Sequence, residues 1–160
     1  MTPLKFVEIA ERYAPVGIKV RWKRRTNQKG RKKNHLYPAH AHLYKREMLT
    51  PKPITREKLY VYLHECGHFH LKHFPREWAV TSLHRRLYTR AASLPTHVEE
   101  FEAEQFAIQT MRREGIPVPR AMLEDAKAYV RDCIRHDIRK SRRRKAKMKI
   151  DPRVEEWANS

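Results

Sequence analysis

Cysteine is scarce: Cys66 and Cys133 are the only two in 160 residues. So few thiols exclude a disulfide scaffold and point to a reduced, intracellular protein. Long apolar runs are missing too. None approaches the ~18 residues of a membrane span, so no membrane partner is expected. A secretory leader is not apparent, because MTPLKFVEIAERY mixes charge into the apolar positions from the start. A cytoplasmic location is the expectation. There is no internal repeat. In two places acid is absent. Residues 18–35 (IKVRWKRRTNQKGRKKNH) hold nine Lys or Arg and no acid, and 139–149 (RKSRRRKAKMK) hold eight more and none. These seventeen account for all but one unit of the net charge of +18. The remainder is near neutral and 40% of the chain is apolar, enough for one modest core. The expected organisation is a folded domain over 1–138 and a basic helical extension and tail over 139–160.

The pattern predicts a short helix over 3–14 with apolar positions at Leu4, Val7, Ile9 and Ala10. A strand follows over 18–25, with Ile18, Val20 and Trp22 on its inner face. An exposed loop leads to one or two strands between 35 and 49, the later at 41–49. Thr55 is positioned to cap a helix over 56–73. A connecting helix or ordered loop should fill 74–95. Thr96 with Glu99 has the form of a capping box, and Gly115 before Pro117 suits a helix end, bracketing the next helix. A last helix should run from about 119 to at least 138, after which DPRVEEWANS would fray. The expected fold class is α+β: a small antiparallel sheet of two to three strands packed on a helical core.

The chemistry concentrates in LHECGHFH, residues 63–70. On a helix, His64 and His68 lie one above the other, with Glu65 about 100° round from the first. That is H-E-x-x-H: two imidazoles for one metal and a carboxylate beside the open position. The competing reading is a pair of core histidines and a surface glutamate. Its flanks argue against that, since Val61, Tyr62, Leu63, Cys66, Gly67 and Phe69 are uncharged and would bury the helix. A hydrolytic zinc site needs a third protein ligand. The positions where a longer motif would carry Gly and His are Leu71 and Phe74, so the ligand must come from elsewhere. In EEFEAEQFA (99–107), Glu100 and Glu104 share one helix face. If Glu100 binds the metal, Glu104 could accept the free N–H of a ligand histidine. Ala103 would let two helices approach, and Phe101 and Phe106 would enter the core. Glu104 and, third, Glu99 stand as alternative ligands.

His64-Glu65-Cys66-Gly67-His68 followed by Glu100-Phe101-Glu102-Ala103-Glu104-Gln105-Phe106-Ala107 resembles the ImmA/IrrE-type metallopeptidases of the gluzincin group. The resemblance covers roughly residues 40–110. It implies a zincin-like helical core, Zn2+ held by His64, His68 and Glu100, Glu65 as general base, and a protein or peptide substrate such as a repressor or regulator. The family's pattern has Asp or Asn where this chain has Glu104, which alters the reach of that side chain. A zinc site of this kind acidifies a water, whose proton Glu65 takes and passes to the leaving amine. Tyr129 and His136 are candidates to stabilise the oxyanion. An extended peptide could add to a free edge of the 41–49 strand. The other histidines, His70, His73, His84, His97 and His136, read as surface or ordinary polar contacts.

The basic segments suit phosphate backbones, so DNA or RNA is a second expected partner. The candidate contacts are Arg21, Lys23, Arg24, Arg25, Arg31, Lys32, Lys33, Arg142, Arg143 and Arg144, with Trp22 and Tyr37 available to stack on bases. No helix-turn-helix or zinc-finger pattern is visible, so binding would be independent of sequence. The expected function is a zinc metallopeptidase with nucleic-acid contact. The alternative is a non-catalytic DNA- or RNA-binding protein with a structural or vestigial metal site.

Overall fold

The computed structural model describes residues 2–22, 39–91, 94–143 and 148–160. Lys23, Arg24, Arg25, Arg31, Lys32, Lys33, Tyr37 and Arg144 lie outside the described residues. The chain runs α1 (Pro3–Arg12), β1 (Lys19–Trp22), β2 (His40–His42), β3 (Glu47–Thr50), α2 (Arg56–His70) and β4 (Phe74–Pro75). After a 3-10 turn come α3 (Ser82–Tyr88), β5 (Thr89–Arg90), α4 (Thr96–Arg113), α5 (Arg120–Arg143) and α6 (Pro152–Asn159). The fold is α+β, as expected.

The sheet differs in detail. Residues 41–49 are not one strand but the hairpin β2–β3, turned by Arg46 at φ 51°. β3 is central: β2 pairs with it antiparallel and β1 parallel, Val20 opposite Met48. Among the described residues, β2 is therefore the edge of the sheet beside α2. Trp22 is not core. It is 45% exposed and tilts against Tyr62, at 6.0 Å between ring centroids.

Helix α2 is the axis of the molecule. Thr55 caps it as expected, its hydroxyl accepting from the Lys58 N–H at 3.3 Å. Its buried residues Leu59, Tyr62, Leu63, Cys66 and Phe69 meet Ile9 of α1, Met48 of β3 and Met111 of α4 in the main core. Leu4, expected to face that core, is exposed, and Phe6 takes its place. The closest approach is between α2 and α4. A Cβ on Gly67 would stand 3.1 Å from the Ala103 Cα and 3.3 Å from the Phe106 Cβ. Glycine on one helix and alanine on the other let the backbones meet, the role expected of Ala103. Phe106 and Phe101 are only partly buried, each packing at the margin of one of two clusters.

The start of α4 is not the expected capping box. Thr96 is already helical and Pro95 occupies the cap without a side-chain bond. Asp137 of α5 does the capping: its Oδ2 accepts from the His97 backbone N–H and lies 2.9 Å from His97 Nδ1. Glu99 does not close a box with Thr96 and instead faces the Leu94 backbone. Gly115, at φ +68°, ends α4 as expected.

The C-terminal segment does not fray. Asp151 caps α6, and Val154 and Ala158 are fully buried against Val98 of α4 and Val130 of α5. Trp157 meets Phe101 edge to face at 5.3 Å, and Arg131 donates to the Ala158 carbonyl. Among the described residues no helix is long and apolar enough to cross a membrane.

Candidate metal centre

Two adjacent helices build the site. His64, Glu65 and His68 come from the middle of α2, Glu100 and Glu104 from the first half of α4. The Gly67–Ala103 contact sets their spacing. His64 Nε2 lies 3.2 Å from Glu100 Oε2, His68 Nε2 lies 3.8 Å from the same oxygen, and the two Nε2 atoms are 3.3 Å apart. This His64, His68, Glu100 group could hold a metal ion. A tetrahedral zinc with bonds of about 2.0–2.1 Å has ligand-to-ligand edges of about 3.3–3.4 Å. The triangle found is of that size. Two imidazole nitrogens from one helix and a carboxylate are also the donor types zinc takes, so the residues fit such an ion.

Glu104 is on the other side of His64, its Oε1 3.3 Å from Nδ1 but outside hydrogen-bond geometry. Glu99 turns to Leu94. Of the three acids weighed from sequence, Glu100 is the one beside both Nε2 atoms.

Glu65 is buried, and the Ala41 backbone of β2 is close enough to favour its carboxylate. Burial pushes Glu65 up to about 7 and Glu104 up to about 8. Burial holds His68 down at about 3, with the His64 charge adding to it, so His68 is neutral and able to ligate. Burial would also raise Glu100, but the His64 hydrogen bond and the charges of His68 and His64 outweigh it and bring the carboxyl to about 2. The same pairing raises His64 against the effect of its burial.

Helix α5 closes one side. Tyr129 faces Glu100 and helps to lower its carboxyl, and its ring stands edge-on to His64 at 6.3 Å. His136, the other candidate from α5, is exposed and lies 3.6 Å from Asp137 Oδ1.

What sequence reading missed is His73. Lys72, at φ 59°, reverses the chain after α2 and returns His73 to His68. Their Nδ1 atoms are 2.9 Å apart. His73 Nε2 is 3.0 Å from Glu102 Oε2, which also pairs with Arg90 at 3.0 Å, and Arg90 Nε donates to the Leu71 carbonyl at 2.9 Å. With His68 Nε2 aimed at the metal position, its Nδ1–H donates to His73, and His73 in turn donates to Glu102. One choice of tautomers satisfies the whole chain. Burial, then the Arg90 charge, holds His73 down at about 4, consistent with a neutral ring in that role. His84 bonds Thr81 and His70 contacts the Tyr13 carbonyl, both ordinary polar contacts.

Of the basic candidates that are described, Arg21 is paired with Glu47 at 3.2 Å, while Arg142 and Arg143 are exposed at the end of α5. Comparison with protein-family models, curated proteins and solved structures found no match to this chain.

Proposed function

We propose that the chain is a zinc metallopeptidase of the ImmA/IrrE kind, acting on a protein or peptide substrate. The observation that carries this reading is the three-atom group of His64, His68 and Glu100, sized for a tetrahedral ion, with the buried carboxylate of Glu65 next to it on α2. Two imidazoles and one carboxylate leave a coordination position for water, whereas a structural zinc takes four protein ligands. Among the described residues no fourth His, Cys, Asp or Glu joins the group, which weighs against a purely structural ion.

A bound zinc ion supplies Lewis acidity, polarising a scissile carbonyl and acidifying a water. The chain's residues do the rest. Glu65 takes the proton of the attacking water and returns it to the leaving amine. The Ala41 backbone of β2 favours the Glu65 carboxylate. Tyr129, beside Glu100 and His64, would serve the developing oxyanion from α5. His73 steadies the His68 imidazole from behind, and Glu104 lies beside His64 Nδ1. The substrate would lie extended along β2, the edge strand next to Glu65, adding main-chain hydrogen bonds.

The test is Glu65→Gln, assayed against wild type on a quenched fluorescent peptide library. The variant should bind one zinc per chain and lose at least ~100-fold in turnover, the scale of a general base. Wild-type turnover in the variant would remove Glu65 from the mechanism. A zinc-loaded wild type that cleaves nothing would favour the non-catalytic alternative.

A further inference from the structure

The basic excess is concentrated in two segments, 18–35 and 139–149, and on α5 the structure separates paired cations from unpaired ones. In α5, Arg135 is bound to Asp132 at 2.6 Å and Lys127 to Glu124 at 3.4 Å. Beyond them the helix changes character. His136, Arg139, Lys140 and Arg143 follow at intervals of three, one and three, which puts all four on one face, and together they line a groove of about 400 Å3. Arg139, Lys140 and Arg143 are exposed, and none has a carboxylate partner among the described residues. The one acid nearby, Asp137, is turned inward: it is buried, bonded to His97 at the start of α4, and reaches His136 only at 3.6 Å. From 138 to 150 the sequence has no acid.

We propose that this face of α5 binds the phosphate backbone of nucleic acid, through Arg139, Lys140 and Arg143. The three side chains project from about 6 Å of helix length at 1.5 Å per residue, close enough to engage successive phosphates of one strand. An acidic membrane surface fits less well. A membrane-lying helix needs an apolar face beside its basic one, and no large apolar residue of α5 beyond Tyr129 is exposed among the described residues. The site does not depend on the metal centre. Because it reads no base, its affinity for a duplex should be independent of sequence.

The test measures binding of the full chain to a fluorescein-labelled 20-base-pair DNA duplex over a salt series. The plot of log K against log salt should be steep. Arg139→Gln, Lys140→Gln and Arg143→Gln should each reduce its slope by about one. Arg135→Gln removes the same charge from the same helix, but its guanidinium is already paired, so the slope should stay that of wild type. An equal loss from Arg135 and Arg139 would mean that only total charge matters and would overturn the proposal. So would a triple Arg139, Lys140, Arg143 variant that keeps the wild-type slope, or a chain that binds phosphatidylserine vesicles and not the duplex.

Discussion

Replacing His73 by Phe tests whether the chain of contacts behind His68 supports metal binding. The substitution keeps a ring of similar size but removes both the partner of His68 Nδ1, at 2.9 Å, and the partner of Glu102, at 3.0 Å. When His68 Nε2 is committed to a metal, its Nδ1–H is then left buried without an acceptor. Such a group costs about 1–3 kcal/mol, and at 1.4 kcal/mol per decade that is a loss of roughly 5- to 150-fold in zinc affinity. Loss of a ligand's outer partner commonly costs a similar amount. The assay is competition for zinc against a chromophoric chelator, with cobalt absorption reporting the geometry. His73→Asn restores an acceptor near the Nδ1 position and should recover most of the affinity. Zinc binding unchanged in His73→Phe, or equally weak in His73→Asn and His73→Phe, would show that His73 does not support His68.

Glu100→Gln should reduce zinc affinity far more than Glu104→Gln, which should cost roughly 10–100-fold, as for a residue behind the ligand; competition titrations of both variants check the order. Gly67→Ala should force α2 and α4 apart at Ala103, costing about 1–3 kcal/mol in urea unfolding and weakening zinc binding as well, because the same contact spaces Glu100 from the histidines. Asp137→Asn should cost about 1–2 kcal/mol at neutral pH, by weakening the cap of α4. Burial alone would raise Asp137, but the His97 bonds lower it below the ordinary carboxylate range. A depressed folded value means that its contribution is complete above about pH 3.9 and fades as pH falls through the folded value. Urea titrations should therefore show the difference from wild type constant at neutral pH and shrinking in strong acid.

The parts legible in the sequence were those set by local periodicity and turn chemistry. The α2 helix followed from its apolar spacing and the Thr55 cap, and the end of α4 from Gly115. His64 with His68, and Glu100 with Glu104, were legible as facing pairs from the helical period, whereas the meeting of the two helices and the choice of Glu100 over Glu104 depend on the fold. What failed depended on distant partners. Thr96 looked like a cap, but Asp137, forty residues on, occupies that role. The parallel pairing of β1 with β3 has no local signal. Three apolar residues, Val154, Trp157 and Ala158, are too short a pattern to mark α6 as buried when α4 and α5 supply the other half of the cluster. His73 was dismissed because its place beside His68 arises from a left-handed turn at Lys72, a residue type that gives no warning of that conformation.

The most direct measurement is anomalous scattering at the zinc edge from crystals of the zinc-loaded chain. One peak per chain is expected, within about 2.0–2.2 Å of His64 Nε2, His68 Nε2 and a Glu100 carboxylate oxygen, with no fourth protein ligand. A peak that omits Glu100, a closed shell of four side chains, or no peak between α2 and α4 would contradict the proposed site.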